Sequence, residues 1–455
     1  MKKVALGLII VFLVVGLSAY GFAWSLMEAA RPYKGVTLHV SLMGGYEINT
    51  TLQKLTPEFT EQTGIKVVYD VVPYEETLEK HMILLATGTQ AYDLLNIDNL
   101  WFGQYVGFLR PINDFMADTK LTAPDFDYED FVPMMRTIYQ WAEGEIYTFP
   151  EMYFFPVLMY RKDLLAKAGL ASPNSTQEFY DWAAKLTRDT DGDGKTDIYG
   201  TTIQGRRTGV FDEILNWYWG AGGQVFDEYL HPVFNNDQFL EKLTIWCDLY
   251  KNGYAPPGAT DYELGEAAAW FYQGNAAMSC NWSFTATWIE NPELSKIAGK
   301  VGYMRFPKED PSVQKYLREA STAMCLPKIA RHKEAAYLLM QWFTSKEIQR
   351  RIQSEFKGAS PPRFSVLEEF IDQYPTFRTH LDAAEKGQVR MVPKIVEWSE
   401  VDDLSALEFQ RAMIGDISPK KALENAVNKV ERMLKDKGYY IGDKKYPPLF
   451  TGRYQ

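Results

Sequence analysis

Clustered basic residues are what this chain most plainly lacks: 59 Asp and Glu outweigh 48 Lys and Arg, for a formal charge of -11. Nucleic acid and anionic membrane surfaces both demand concentrated positive charge, so neither is expected as a partner. Cysteine is also sparse. Cys247, Cys280 and Cys325 are far apart, have no metal-ligand spacing and allow at most one disulfide. The five histidines, His39, His81, His231, His332 and His380, are scattered. No zinc-protease helix, nucleophile elbow, phosphate-cradling loop or dinucleotide fingerprint occurs, so the expectation is a protein that is not an enzyme. Paired carboxylates such as Glu75-Glu76 and Asp402-Asp403 keep a carbohydrate-active enzyme as an alternative.

Long apolar runs are absent too, with one exception. Lys2 and Lys3 precede the run Val4 to Leu17, and small residues follow at Ala19, Gly21 and Ala23. That is the layout of a secretory signal over 1–23, cut after Gly21 or Ala23, and it predicts a periplasmic or otherwise extracytoplasmic protein. Left uncleaved, the same segment would act as a membrane anchor. No cysteine lies near the cut, which argues against a lipid anchor.

What is abundant is aromatic surface: 12 Trp, 28 Tyr and 26 Phe in 455 residues, a length that calls for two domains or lobes. Val36–Val40, Ile65–Val72 and Ala91–Ile97 read as strands separated by helices with Leu52, Leu55 and Phe59 on one face and by helical spacing from Glu75 to Leu85. This order predicts an α/β lobe with a parallel sheet, whose ligand-facing loops leave the carboxyl ends of strands. Gly44–Tyr46 and Asp98–Phe102 fall there. Ser175 to Glu178 has the form of a capping box opening a helix, and Ser418-Pro419 caps a terminal one. The three aromatics Trp217, Tyr218 and Trp219 cannot all face a core on helical spacing, so at least one is expected at a cleft or surface. The stretch Trp270–Trp288 sets a Gly-Asn turn before a small apolar strand ending in Asn281 and Trp282, a wall suited to a neutral polar ligand.

One short motif points to a cation. Asp189, Asp191, Asp193 and Asp197, with the Lys195 carbonyl, occupy the oxygen positions of a calcium-type loop, but Gly200 stands where the bidentate Glu belongs. A structural Ca2+ and a tight turn without metal are the two readings. No cofactor is required by either.

The segments Phe59–Val67, Tyr160–Leu164, Gly222–Phe226, Phe271–Met278 and Gly415–Leu423, in that order and spacing, resemble the extracellular solute-binding proteins that feed ABC importers, specifically those for sugars, oligosaccharides and sugar alcohols. The resemblance implies a two-lobed α/β periplasmic-binding-protein fold with a multi-crossover hinge. The first lobe would comprise 36–147 and 325–365, the second 148–324 and 366–455 with the C-terminal helices. It implies a monomer that binds a carbohydrate or polyol in the interlobe cleft and delivers it to a membrane permease. The matching positions for ligand contact are Gly45, Tyr46, Asp98, Trp101, Phe155, Trp219, Asn281, Trp282 and Arg363. A receptor for another polar solute, such as a peptide, is the alternative.

Overall fold

A computed structural model describes residues 24–142, 144–207, 209–357, 360–440 and 442–452. The expected signal segment 1–23 lies outside the described residues, among which no helix is long and apolar enough to cross a membrane.

Ten strands form: β1 (Thr37–Met43), β2 (Lys66–Val72), β3 (Leu94–Asp98), β4 (Pro156–Arg161), β5 (Tyr199–Thr202), β6 (Ala276–Trp282), β7 (Val301–Met304), β8 (Leu317–Arg318), β9 (Thr322–Cys325) and β10 (Val389–Arg390). The first sheet runs β2-β1-β3-β9, parallel except for β9, and the second runs β5-β6-β4-β7. Strand β4 is antiparallel to both of its neighbours. The expected strands of the first sheet form, with two shifts. β1 continues through Ser41–Met43, past the expected end at Val40, because Met43 still pairs with Val72. β3 starts at Leu94, since the Asp93 carboxylate is occupied by the amides of His39, Arg331 and His332.

Alternating apolar residues decide which faces are buried. Leu38, Val40 and Leu42 of β1 pack with Leu52 and Phe59 of helix Glu47–Thr63, and with Leu338 and Trp342 of helix Lys333–Phe343, which returns to the first sheet late in the chain. Gly64 closes the earlier helix with φ 72°, a left-handed cap that glycine adopts without Cβ strain. The second lobe gathers Val157, Met159, Phe179, Trp217, Trp246, Met278, Phe409 and Val430. Helix Thr176–Leu186 is capped by Ser175 Oγ on the Glu178 amide, but Glu178 reaches the amide of Asn174 rather than that of Ser175. Ser418 caps helix Pro419–Asp436 as expected. All three cysteines are buried and free.

The connection between sheets is made of short extended segments. Pro150 bridges to Ala323 and Phe154 to Ala320, the Tyr153 amide donates to Ser360 O, and β8 pairs in parallel with β10. The strand that returns to the first sheet opens at Thr322, a little before the expected boundary at 325. The lobes also meet away from these crossings. A Cβ on Gly103 would lie 2.8 Å from Ile395 O, so glycine there lets the segment before helix Trp398–Met413 press onto the first lobe. Lys394 reaches across the same seam to the carbonyls of Thr137 and Gln140. This is a closed arrangement.

Candidate functional site

The site lies where β3 ends, where β8 crosses and where helix Val210–Gly220 begins. Asp98 closes β3 and caps the turn Asn99–Trp101, its Oδ1 accepting from the Leu100 amide at 2.9 Å. Its Oδ2 faces the hydroxyls of Tyr46 and Tyr74, each at 3.4 Å. Tyr74 in turn lies against Trp101, ring centroids 4.7 Å apart. Opposite stands Arg318 of β8, wholly buried, paired with Asp212 and laid over the Trp282 ring at 4.7 Å. Phe154 and Phe284 complete the aromatic wall, at 6.5 and 6.1 Å from Tyr46.

Charge is crowded here. Burial pushes Asp98 up to about 6, with the Leu100 amide and the Arg318 charge pulling the other way. Asp402, on helix Trp398–Met413, is pushed well up by burial and then by Asp212. Burial works against the Arg318 charge, yet the attraction of Asp212, Asp98 and Asp402 holds it up. One guanidinium therefore serves three carboxylates.

Beneath Trp282 a pocket of ≈ 40 Å³ is lined by Pro156, Gln204, Asp212, Glu213, Asn216 and Asn281 among others. A wider groove of ≈ 1190 Å³ opens beyond Tyr46, between Gly45, Glu47 and Lys54 on one side and Trp288, Glu290 and Tyr374 on the other. Several buried polar atoms of the site have no hydrogen-bond partner: Asp212 Oδ1, Glu213 Oε2, Asn216 Oδ1 and Arg318 Nε. Groups so placed cost stability unless something else meets them.

Of the positions expected to meet ligand, the structure brings together Tyr46, Asp98, Trp101, Asn281 and Trp282, with Gly45 at the groove's edge with φ 87°. Asn281 also holds local backbone: it donates to Leu264 O and accepts from the Trp282 amide. Three others lie elsewhere. Arg363 is wholly buried and its donors go to Thr344 O, Asp127 O and Phe126 O, with Asp130 beside it, so it ties helices together rather than clamping a ligand. Phe155 packs on His380 in the hinge core, centroids 4.3 Å apart. Trp219 is buried beneath Arg390. Trp217 and Tyr218 are buried as well, because their helix is packed by helices Asp237–Lys251 and Trp398–Met413; none of the three aromatics is left over for the cleft. Sequence reading missed Tyr74, Arg318, Asp212, Glu213 and Asn216, and named Asp402 only as half of a carboxylate pair with Asp403. No local signal marked Arg318, which sits between Leu317 and Glu319 in a polar stretch of chain.

In the acidic loop, Asp189, Asp191 and Asp197 bring carboxylate oxygens within 4.8 Å of one another, an arrangement a hard cation could bridge. Amides of Gly192 and Gly194 hold Asp189 below the usual carboxylate range, and Thr190 does the same for Asp197, keeping both charged. Asp193 stays outside the cluster, its carboxylate facing the Lys195 ammonium at 3.3 Å.

The sequence profile of the bacterial extracellular solute-binding protein family matches residues 45–350. A probable amino-acid ABC transporter periplasmic-binding protein of Sinorhizobium fredii is 25% identical over 84% of this chain and 86% of its own length. A mannitol-binding protein of Pseudomonas aeruginosa is 24% identical over 85% of this chain and 91% of its own length. Among solved structures, an ABC transporter solute-binding protein of Agrobacterium radiobacter in complex with ribitol superimposes with a TM-score of 0.76 at 26% identity, covering 88% of this chain and 99% of that one.

Proposed function

The chain belongs to the bacterial extracellular solute-binding proteins, and from that premise we propose that it binds a sugar alcohol or sugar in the interlobe site and delivers it to an ABC importer. It acts outside the cytoplasm and by binding, without catalysis. The observation that carries the reading is the set of unpartnered polar atoms on Asp212, Glu213, Asn216 and Arg318, buried beside Trp282, with Tyr46, Tyr74 and Trp101 gathered around the neighbouring Asp98. Hydroxyl groups both donate and accept, so a polyhydroxy ligand can meet carboxylates and a guanidinium together, while its carbon faces lie on the rings. The relatives bound to ribitol or named for mannitol support that class.

The same atoms supply the closing force. An unsatisfied buried polar atom costs about 1–3 kcal/mol. Four such atoms would together give a ligand a preference of roughly 4–12 kcal/mol for the closed state, which spans the ~5.5 kcal/mol needed to turn a 1:99 population into 99:1. Tyr46, Asp98 and Trp101 serve from the first lobe, Asn281 and Trp282 from the second, with Gly45 allowing close approach at the rim. The permease would then read the closed form.

An amino-acid ligand, the class in the name of the Sinorhizobium relative, fits less well. Its carboxylate would have to displace Asp212 from Arg318, and the Arg363 guanidinium is committed to backbone carbonyls. Titration calorimetry of the mature protein against pentitols, hexitols and short saccharides tests the reading, with X-ray scattering to follow compaction. Absence of both heat and compaction across that panel would sink it.

A further inference from the structure

The pocket beneath Trp282 is selective in a way that a polyol alone does not explain. Each of its unpartnered atoms is an acceptor, and each is an acceptor for a structural reason. Asp212 uses one oxygen on Arg318, leaving Oδ1. Asn216 is oriented by its Nδ2, which donates to Asp212 O at 2.7 Å, and so presents Oδ1. Glu213 takes both the backbone amide and the side-chain amide of Gln204 on Oε1, at 3.1 and 2.9 Å, leaving Oε2. Glu213 and Asn216 are 4% and 2% exposed, so bulk water is not an alternative partner.

Three acceptors within about one turn of one helix line a pocket of ≈ 40 Å³, room only for a small group. A hydroxyl or a water brings one or two donors and leaves at least one acceptor bare. An ammonium brings three donors and no acceptor. It also adds positive charge where Asp98, Asp212 and Asp402 face the single guanidinium of Arg318, and, beside Glu213, which burial alone pushes well up, it favours the charged, accepting form of that carboxylate. Phe306 and Trp282 in the wall add ring surface beside a cation.

We propose that this pocket takes the primary ammonium group of the ligand, which makes the solute a polyhydroxy amine such as an amino sugar or amino alditol. The assignment rests on the polyol reading above and narrows it. Arg318 Nε and Asp98 then serve the hydroxyls, and the ammonium sits beneath Trp282.

Calorimetry with matched pairs tests it: 2-amino-2-deoxy-D-glucitol against D-glucitol, and D-glucosamine against D-glucose, with glycine and serine as amines lacking a polyol chain. The expected result is at least tenfold tighter binding of the amine in a pair, with the preference lost in Glu213→Gln. Equal or tighter binding of the neutral member overturns the ammonium assignment and leaves the polyol reading standing. Binding of glycine or serine alone keeps the ammonium pocket and removes the polyol. Silence from every compound overturns both. The wild-type comparison carries the test if the variant fails to fold.

Discussion

Replacing Arg318 by leucine keeps most of the side-chain volume and removes the one cation that Asp98, Asp212 and Asp402 share. Breaking a buried ion pair from one side costs about 3–5 kcal/mol, because the other charge is left uncompensated. Here the cost has a ceiling that depends on pH. A stranded carboxylate escapes by taking a proton, and for an ordinary aspartate near 3.9 that costs ~4 kcal/mol at pH 7 but only ~1.5 kcal/mol at pH 5. The site offers a second escape, since opening the lobes returns the carboxylates to water. Arg318→Leu should therefore expand the unliganded protein at pH 7 and let it close again toward pH 5, read as the radius of gyration by X-ray scattering. Adding Asp212→Asn should restore much of the closure at pH 7, because the two residues are in contact and their effects do not add. An equal radius at both pH values, or a double variant as open as the single one, would refute the account of closure as a balance of buried charge.

Other expectations follow from the same geometry. Arg363→Met should lower unfolding stability by about 3–5 kcal/mol, through Asp130 and three carbonyls left bare, while ligand affinity measured on the folded fraction stays within twofold. Burial holds Lys394 down to about 7 in the closed form, below the ~10.4 of a lysine in water; the open form binds more protons between those values. Closure and affinity should accordingly rise about tenfold per pH unit above pH 7, and calorimetry on Lys394→Met should lose that slope. In the acidic loop, millimolar calcium should raise the melting temperature by a few degrees; Asp191→Asn should abolish the shift, whereas Asp193→Asn should keep it.

The first sheet was legible because its determinants are local. Alternating Val and Leu residues, a glycine stop at Gly64 and helices of 13 to 17 residues between strands are all patterns within a short window. Asp98 could be picked out for the same reason: a carboxylate just past a buried parallel strand has few structural duties, and here one oxygen caps while the other is left for Tyr46 and Tyr74. Trp282 followed from the strand before it. Arg363 was placed at the ligand by the resemblance, although the rigid Ser-Pro-Pro loop before it suits a tether between helices equally well; nothing nearby in sequence reveals that Phe126 and Phe131 sandwich it from more than 230 residues away.

Arg318 belongs to that second kind, and its case explains why a binding site is harder to read than a sheet. Its meaning depends on Asp98, Asp212, Trp282 and Asp402, contributed by four separate stretches of chain that only the closed fold assembles. Locally it sits in a two-residue strand with no periodicity to flag it. Local rules in fact predict against it, since a charge next to apolar strand residues belongs at an exposed edge. That conflict was itself informative. A fold tolerates an arginine with no exposed surface only where acceptors meet it; Arg363 has backbone carbonyls, whereas Arg318 has carboxylates in excess of its charge, and with acceptor atoms left bare that arrangement is unfinished until a ligand arrives. The residues that most violate the local pattern are thus the ones that leave the closed form incomplete without its solute, and binding is the step that completes it.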